Sequence, residues 1–239
     1  MPGRFATIDV EAPEGFALEA YNAVYKGLPK KARQRSRKWK DFRDAWSAVA
    51  YRFLWLDYYA DAFANSVAKD GIGPAQPMRG EQERFAFGFI LNALSCLETA
   101  HYGLFAVGAF LSEDFHLRNE KHRTNVTMGG TVRKFAQVFP KEPVTKALQR
   151  ARRARAMKQL QDVRNIIVHR ANPPRAFKMS EPLRADWKLT KGKMKLGGDT
   201  LTAIQADVVR LLEGLLDPAA KFVAKHFPQP RRRRGATSV

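Results

Sequence analysis

Cysteine is almost missing from this chain of 239 residues: Cys96 stands alone, so no intrachain disulfide can form and no cage of cysteines can hold zinc. A reducing cytoplasm suits such a chain. Acidic residues are scarce too, 23 Asp and Glu against 42 Lys and Arg, which leaves a formal charge of +19. That excess concentrates polyanions at the surface, nucleic acid first among them; anionic membranes, ribosomal surfaces and polyphosphate share the chemistry. Histidines number only five. The two most closely spaced, His116 and His122, have Lys121 and Arg123 beside His122, whose charge opposes a bound cation, so no metal and no cofactor is expected. The opening MPGRFATIDVEAPEG lacks the apolar centre of a secretory signal. The longest apolar stretch, residues 85–111, carries Glu98, which is costly at mid-bilayer, so a buried helix is expected rather than a membrane span.

What is present is enough to fold: 45% hydrophobic and 11% aromatic residues exceed what disordered chains carry. Residues 16–28 have helical spacing, and Pro29 then opens a basic run with Lys30, Lys31, Arg33, Arg35, Arg37, Lys38 and Lys40. Charge runs are commonly solvated helix faces. Interleaved with Trp39, Phe42 and Trp46, this one also fits a phosphate-gripping surface, and both readings stand. Trp46, Val49, Phe53, Leu56 and Phe63 predict a long helix over 41–69, ended by the Gly- and Pro-rich residues 70–80.

A second long helix, the most apolar, is predicted over 81–111. On it Asn92, Ser95, Glu98 and His101 trace a slowly drifting polar line that needs hydrogen-bonded company. A carboxylate such as Glu98 can hold an Arg or His of another helix in a fixed orientation. Residues 112–130 turn polar and read as an exposed connection. Helices follow over 131–139 and from Pro143 to about Arg170, where Asn172, Pro173 and Pro174 end the second. Trp187, Leu189, Met194 and Leu196 around Lys191-Gly192-Lys193 suggest a small hairpin. A last helix over 201–227 gathers Ile204, Val208, Leu211, Leu212 and Leu215 on one side, and Arg231, Arg232, Arg233 and Arg234 fall in a tail expected to be disordered.

Near the end of the helix that starts at Pro143 stand Asp162, Arg164, Asn165, His169 and Arg170. At about 100° per residue Asp162, Asn165 and His169 share a stripe, while Leu160, Val163 and Ile167 form an apolar one that can dock on the core. Arg164 lies more than a quarter-turn from His169, within reach of one pocket by virtue of its length, particularly if a second copy of the helix packs opposite. Cleaving RNA without a metal needs a base for the ribose 2′-hydroxyl and a fixed cation for the charge that builds on the phosphate. An imidazole suits the first task and a guanidinium the second. Asn165 can orient the imidazole or donate to a phosphate oxygen.

This arrangement, Arg164-Asn165 followed by His169 on a late helix, resembles the signature of the HEPN superfamily. The resemblance spans residues 81–227: an apolar helix with a polar line, a basic connector, the motif helix and a closing helix. It implies an all-α, HEPN-like helical bundle over 81–227; outside the match, residues 1–80 are expected as extra N-terminal helices packed on the core and 228–239 as a tail, with a small β-hairpin before the last helix. It further implies a metal-independent endoribonuclease, working as a homodimer, that leaves 2′,3′-cyclic phosphate ends. Arg164, Asn165 and His169 would be catalytic, with Glu98 and Asp162 supporting; from their charge, and not from the resemblance, Lys30, Lys31, Arg33, Arg35, Arg37 and Arg170 would contact RNA. A toxin, defence effector or processing enzyme, with an antitoxin or other regulatory partner, would fit it. The other expectation is a non-catalytic HEPN-like protein that binds nucleic acid or an acidic partner.

Overall fold

The longest elements form where the apolar period is longest. In the computed structural model, which describes residues 3–29, 36–117, 119–169, 175–178, 184–189 and 192–228, helix α2 (Arg37–Asp70) follows α1 (Leu18–Gly27). Ser36 starts α2 as its N-cap, its hydroxyl accepting from the Trp39 amide at 3.1 Å. Trp46, Val49, Phe53, Leu56 and Phe63 all turn inward, as their spacing predicts. Helix α3 (Met78–Leu111) runs back against α2. It is long and apolar enough to cross a bilayer, yet 67% of its most apolar window is buried inside the protein.

The expected exposed connection after α3 is in part a plug. Phe115 and Leu117 are buried, and the Phe115 ring lies against Gly108, where a Cβ would stand 2.5 Å from it. A short helix α4 (Glu120–Thr124) then leads to α5 (Met128–Val138), capped by the Thr127 hydroxyl. The single helix expected from Pro143 is two: α6 (Pro143–Arg153) and α7 (Arg155–His169), separated at Ala154, which is extended at φ −58°, ψ 142°. The cause is a slip in apolar phase. Val144, Ala147, Leu148 and Ala151 are buried on α6, but the next turn of that face would bring Arg155 and Lys158, whereas the buried residues are Met157, Leu160 and Val163.

Strands β1 (Arg175–Lys178), β2 (Arg184–Leu189) and β3 (Gly192–Leu196) form an antiparallel sheet in the order β1-β2-β3. Trp187 pairs with Met194 and, on the other side, with Arg175, so the expected hairpin exists and carries a third strand. The fold is therefore mostly helical, not all-α. Helix α8 (Gly198–His226) closes it, burying Val208, Leu212 and Leu215 as expected. A single hydrophobic core joins residues from Phe5 to Val223, including α1, α2 and α8. The tail over 229–239 lies outside the described residues.

Candidate functional site

The helix that carries the motif is held by its apolar stripe. Met157, Leu160 and Val163 are buried, and Ile167 packs half-buried on the core, so the opposite side of α7 must face outward. Arg164 emerges at the edge next to α3. Its Nη2 stands 3.5 Å from Glu98 Oε1, with the two side chains 32% and 40% exposed. Glu98 thus does what the polar line suggested, orienting a cation from another helix. A pair this open contributes about 0–1 kcal/mol, so the guanidinium can be redirected to a phosphate at small cost.

Asn165 is exposed and Asp162 half-buried. His169 is the last residue of α7, and its side chain, like Arg170 and the basic residues Lys30, Lys31, Arg33 and Arg35, lies outside the described residues. His169 follows Arg164 by five positions, with four residues between them, which on one helix turns their Cα–Cβ directions about 140° apart. Of the candidate residues, then, the structure brings Arg164 and Glu98 together.

The remaining members of the polar line take different surroundings, because a three-residue step drifts about 60° around the axis each time. The Asn92 amide donates to the Gly88 carbonyl at 2.8 Å. The Ser95 carbonyl accepts from Arg52 Nη1 at 3.1 Å. His101 has left the surface altogether: it is fully buried, with Nδ1 2.8 Å from the Leu97 carbonyl, so in the neutral ring Nδ1 carries the proton. Among the described residues its Nε2 has no partner in hydrogen-bonding geometry. Burial pushes its pKa down to about 4, and the Leu97 and Leu148 backbone offsets this only in part. His101 is a neutral core residue and not part of a surface acid–base pair. Cys96 is likewise inert, its thiol pushed up to about 12 by burial.

A groove between α2 and α3 adjoins the Arg164–Glu98 pair. Asp41, Asp44, Arg52, Ser95, Glu98 and Tyr102 line it. Burial raises the pKa of Asp41, while Arg123 at 3.9 Å and Arg37 at 3.7 Å pull it back. Arg37, expected to contact RNA, is exposed at the start of α2 beside this groove. The aromatic residues expected to interleave with the basic run do not serve it. Trp39, Phe42 and Trp46 are buried; the Trp46 indole donates to the Tyr21 carbonyl at 3.1 Å and its ring stacks on Tyr21. Core packing claims them because they fall on the apolar phase of α2.

Two features escaped the sequence reading. Arg52 shares the groove with Glu98, and Tyr51, Trp55 and Tyr58 are about half exposed on the outer face of α2. Their intervals of four and three residues were visible in the sequence as a second aromatic stripe, out of phase with the core stripe.

No family model and no curated protein matches the sequence, and no solved structure matches the fold.

Proposed function

We propose that this protein is an RNA-directed, HEPN-like endoribonuclease that works without a metal ion, with Arg164 as the phosphate-stabilising cation, His169 as general base or acid, and Asn165 positioning. The observation that carries this reading is the state of Arg164: oriented by Glu98 at 3.5 Å, yet one-third exposed at the edge of a groove. A purely structural arginine is held otherwise. Arg175, with its side chain fully buried, donates through Nη1 to the Ile72 carbonyl and Gln82 Oε1 and approaches Glu83 at 3.4 Å, closed off from solvent although its Nε and Nη2 have no hydrogen-bond partner among the described residues. The formal charge of +19 supports a polyanionic substrate. Because Arg164 and His169 diverge on one helix, the composite site needs two motif helices, and hence a homodimer.

The test is cleavage of end-labelled single-stranded RNA in EDTA by wild type, His169→Ala and Arg164→Ala proteins. We expect 2′,3′-cyclic phosphate products from wild type, no cleavage with retained binding for His169→Ala, and a loss of roughly 10²–10³ in rate for Arg164→Ala. Full activity in His169→Ala would remove the assignment. That same angular divergence favours a second reading, a non-catalytic RNA-binding protein, which predicts intact RNA retained in a salt-dependent manner by all three proteins.

A further inference from the structure

Helix α2 spans 34 residues, and its outer face breaks the usual rule that such a face is polar. Tyr51, Trp55 and Tyr58 are 52%, 48% and 55% exposed, and they follow at four- and three-residue steps, so they share one face. Single exposed aromatics are unremarkable, whereas a contiguous set marks a surface that meets something.

Two of the three rings are held in place. Trp55 and Tyr58 meet edge to face at 5.5 Å, and both lie against Tyr59, at 5.9 and 5.3 Å. Tyr59 in turn lies flush on α3 at Gly88, where a Cβ would stand 2.5 Å from its ring. One rung further along the α2–α3 contact, Arg52 reaches the Ser95 carbonyl, and Leu91, between these rungs on α3, adds another exposed apolar side chain. Fixed rings lose little freedom when a flat partner is laid on them.

Charge identifies the partner. Arg37 and Lys40, both exposed, precede Trp55 and Tyr58 by eighteen residues each, about five turns, and therefore stand on the same face about 27 Å away. Lys69, also exposed, follows Tyr58 by eleven residues, about three turns. Two exposed acidic residues stand on or beside this face: Asp44, paired with Arg43 at 2.9 Å, and Asp61, three residues after Tyr58, so the cations gather toward the two ends of the row and not at its middle. Aromatic planes between cationic ends are the chemistry of single-stranded nucleic acid, whose bases stack on rings while its phosphates follow the charges.

We propose that Tyr51, Trp55 and Tyr58 form a stacking platform for unpaired bases of single-stranded RNA whose backbone runs along α2 between Arg37 and Lys69. This rests on the RNA reading above and adds to it the substrate class, unpaired strands. It is independent of cleavage.

Trp55 is the one tryptophan of the four with an exposed ring, so its fluorescence reports the platform directly. The probe is a 2′-O-methyl oligouridylate of fifteen nucleotides, which lacks the hydroxyl that cleavage requires, beside a 2′-O-methyl duplex of equal length. Binding of the single strand should quench Trp55. Trp55→Ala and Tyr58→Ala should each weaken binding about tenfold without changing its salt dependence, Trp55→Phe should restore most of it, and the duplex should bind more weakly. Unaltered affinity in both alanine variants, equal binding of the duplex, or a loss of self-association with oligonucleotide affinity untouched would each overturn the platform. If neither oligonucleotide binds wild-type protein, the RNA reading itself falls; if the single strand binds and the alanine variants bind it equally well, the platform alone falls.

Discussion

At the scale of single residues, two of the arginines that α3 receives from other elements, Arg164 and Arg175, show how burial decides a role. Arg164 can give up Glu98 cheaply, because solvent screens the pair. Arg175 cannot give up its partners: burial lowers its pKa, Glu83 raises it, and Arg79 at 3.2 Å shares the same carboxylate. Arg175→Ala leaves Glu83 to Arg79 alone and takes the donor from Gln82 Oε1 where water is excluded, and should destabilise the fold by about 1–3 kcal/mol, measured by denaturant unfolding; an unchanged stability would show that the sheet is not fastened to α3 this way. His101 gives a prediction with a pH sign. The folded protein holds it neutral with a pKa of about 4, while the unfolded chain takes up a proton below about 6.5. Acid therefore favours unfolding: the contribution is intact above pH 6.5 and is lost progressively as pH falls towards 4, by about 3 kcal/mol. Between pH 7 and pH 4, His101→Gln should lose that much less stability than wild type. Parallel pH profiles for the two proteins would contradict the assignment.

At the scale of elements, close approach of α2 and α3 builds the body of the fold, and it depends on glycines that leave room for rings. A Cβ on Gly103 would stand 2.7 Å from the Trp46 ring, which is fully buried and stacked on Tyr21 with no space to retreat. Gly103→Ala should cost about 1–3 kcal/mol through overpacking, read as a lower unfolding midpoint; an unchanged midpoint would mean the helices can part without penalty. The same elements show what a sequence can disclose. The long helices and the buried stripe of α7 were legible because each keeps one apolar phase for several turns. Such a phase is a sum over many residues and tolerates exceptions. The break at Ala154 was legible in principle, as a slip from the Ala151 face to the Met157 face, but helical propensity runs unbroken across it. The Glu98 partnership could be foreseen as a need and not as a pair, since spacing places a side chain on a face without naming what faces it. Trp39, Phe42 and Trp46 were misplaced because charge neighbours in sequence need not be surface neighbours in a helix. β1 went unseen because four residues are too few to show alternation.

At the scale of the whole molecule, the positive charge is not spread evenly around the fold. The groove beside Arg164 has three carboxylates, Asp41, Asp44 and Glu98, two of them engaged by arginines from other turns or helices, so the proposed affinity for phosphate must draw chiefly on cations along α2, Lys40 and Lys69, with Arg37 shared between a phosphate and Asp41. Two contributions to RNA binding then separate by their response to salt. Phosphate contacts release counterions, with log Kobs falling by about 0.7 per neutralised phosphate for each unit of log salt, whereas stacking on Trp55 and Tyr58 is nearly indifferent to salt. For a path along α2 that engages about five phosphates, affinity should drop roughly hundredfold from 50 to 200 mM salt. Arg37→Gln with Lys40→Gln should make the slope shallower by about 1.4, while Trp55→Ala should shift the line downward with its slope intact. A slope that ignores the cation changes but flattens on removing the ring would place the phosphates elsewhere, and α2 would no longer be the track on which the strand lies.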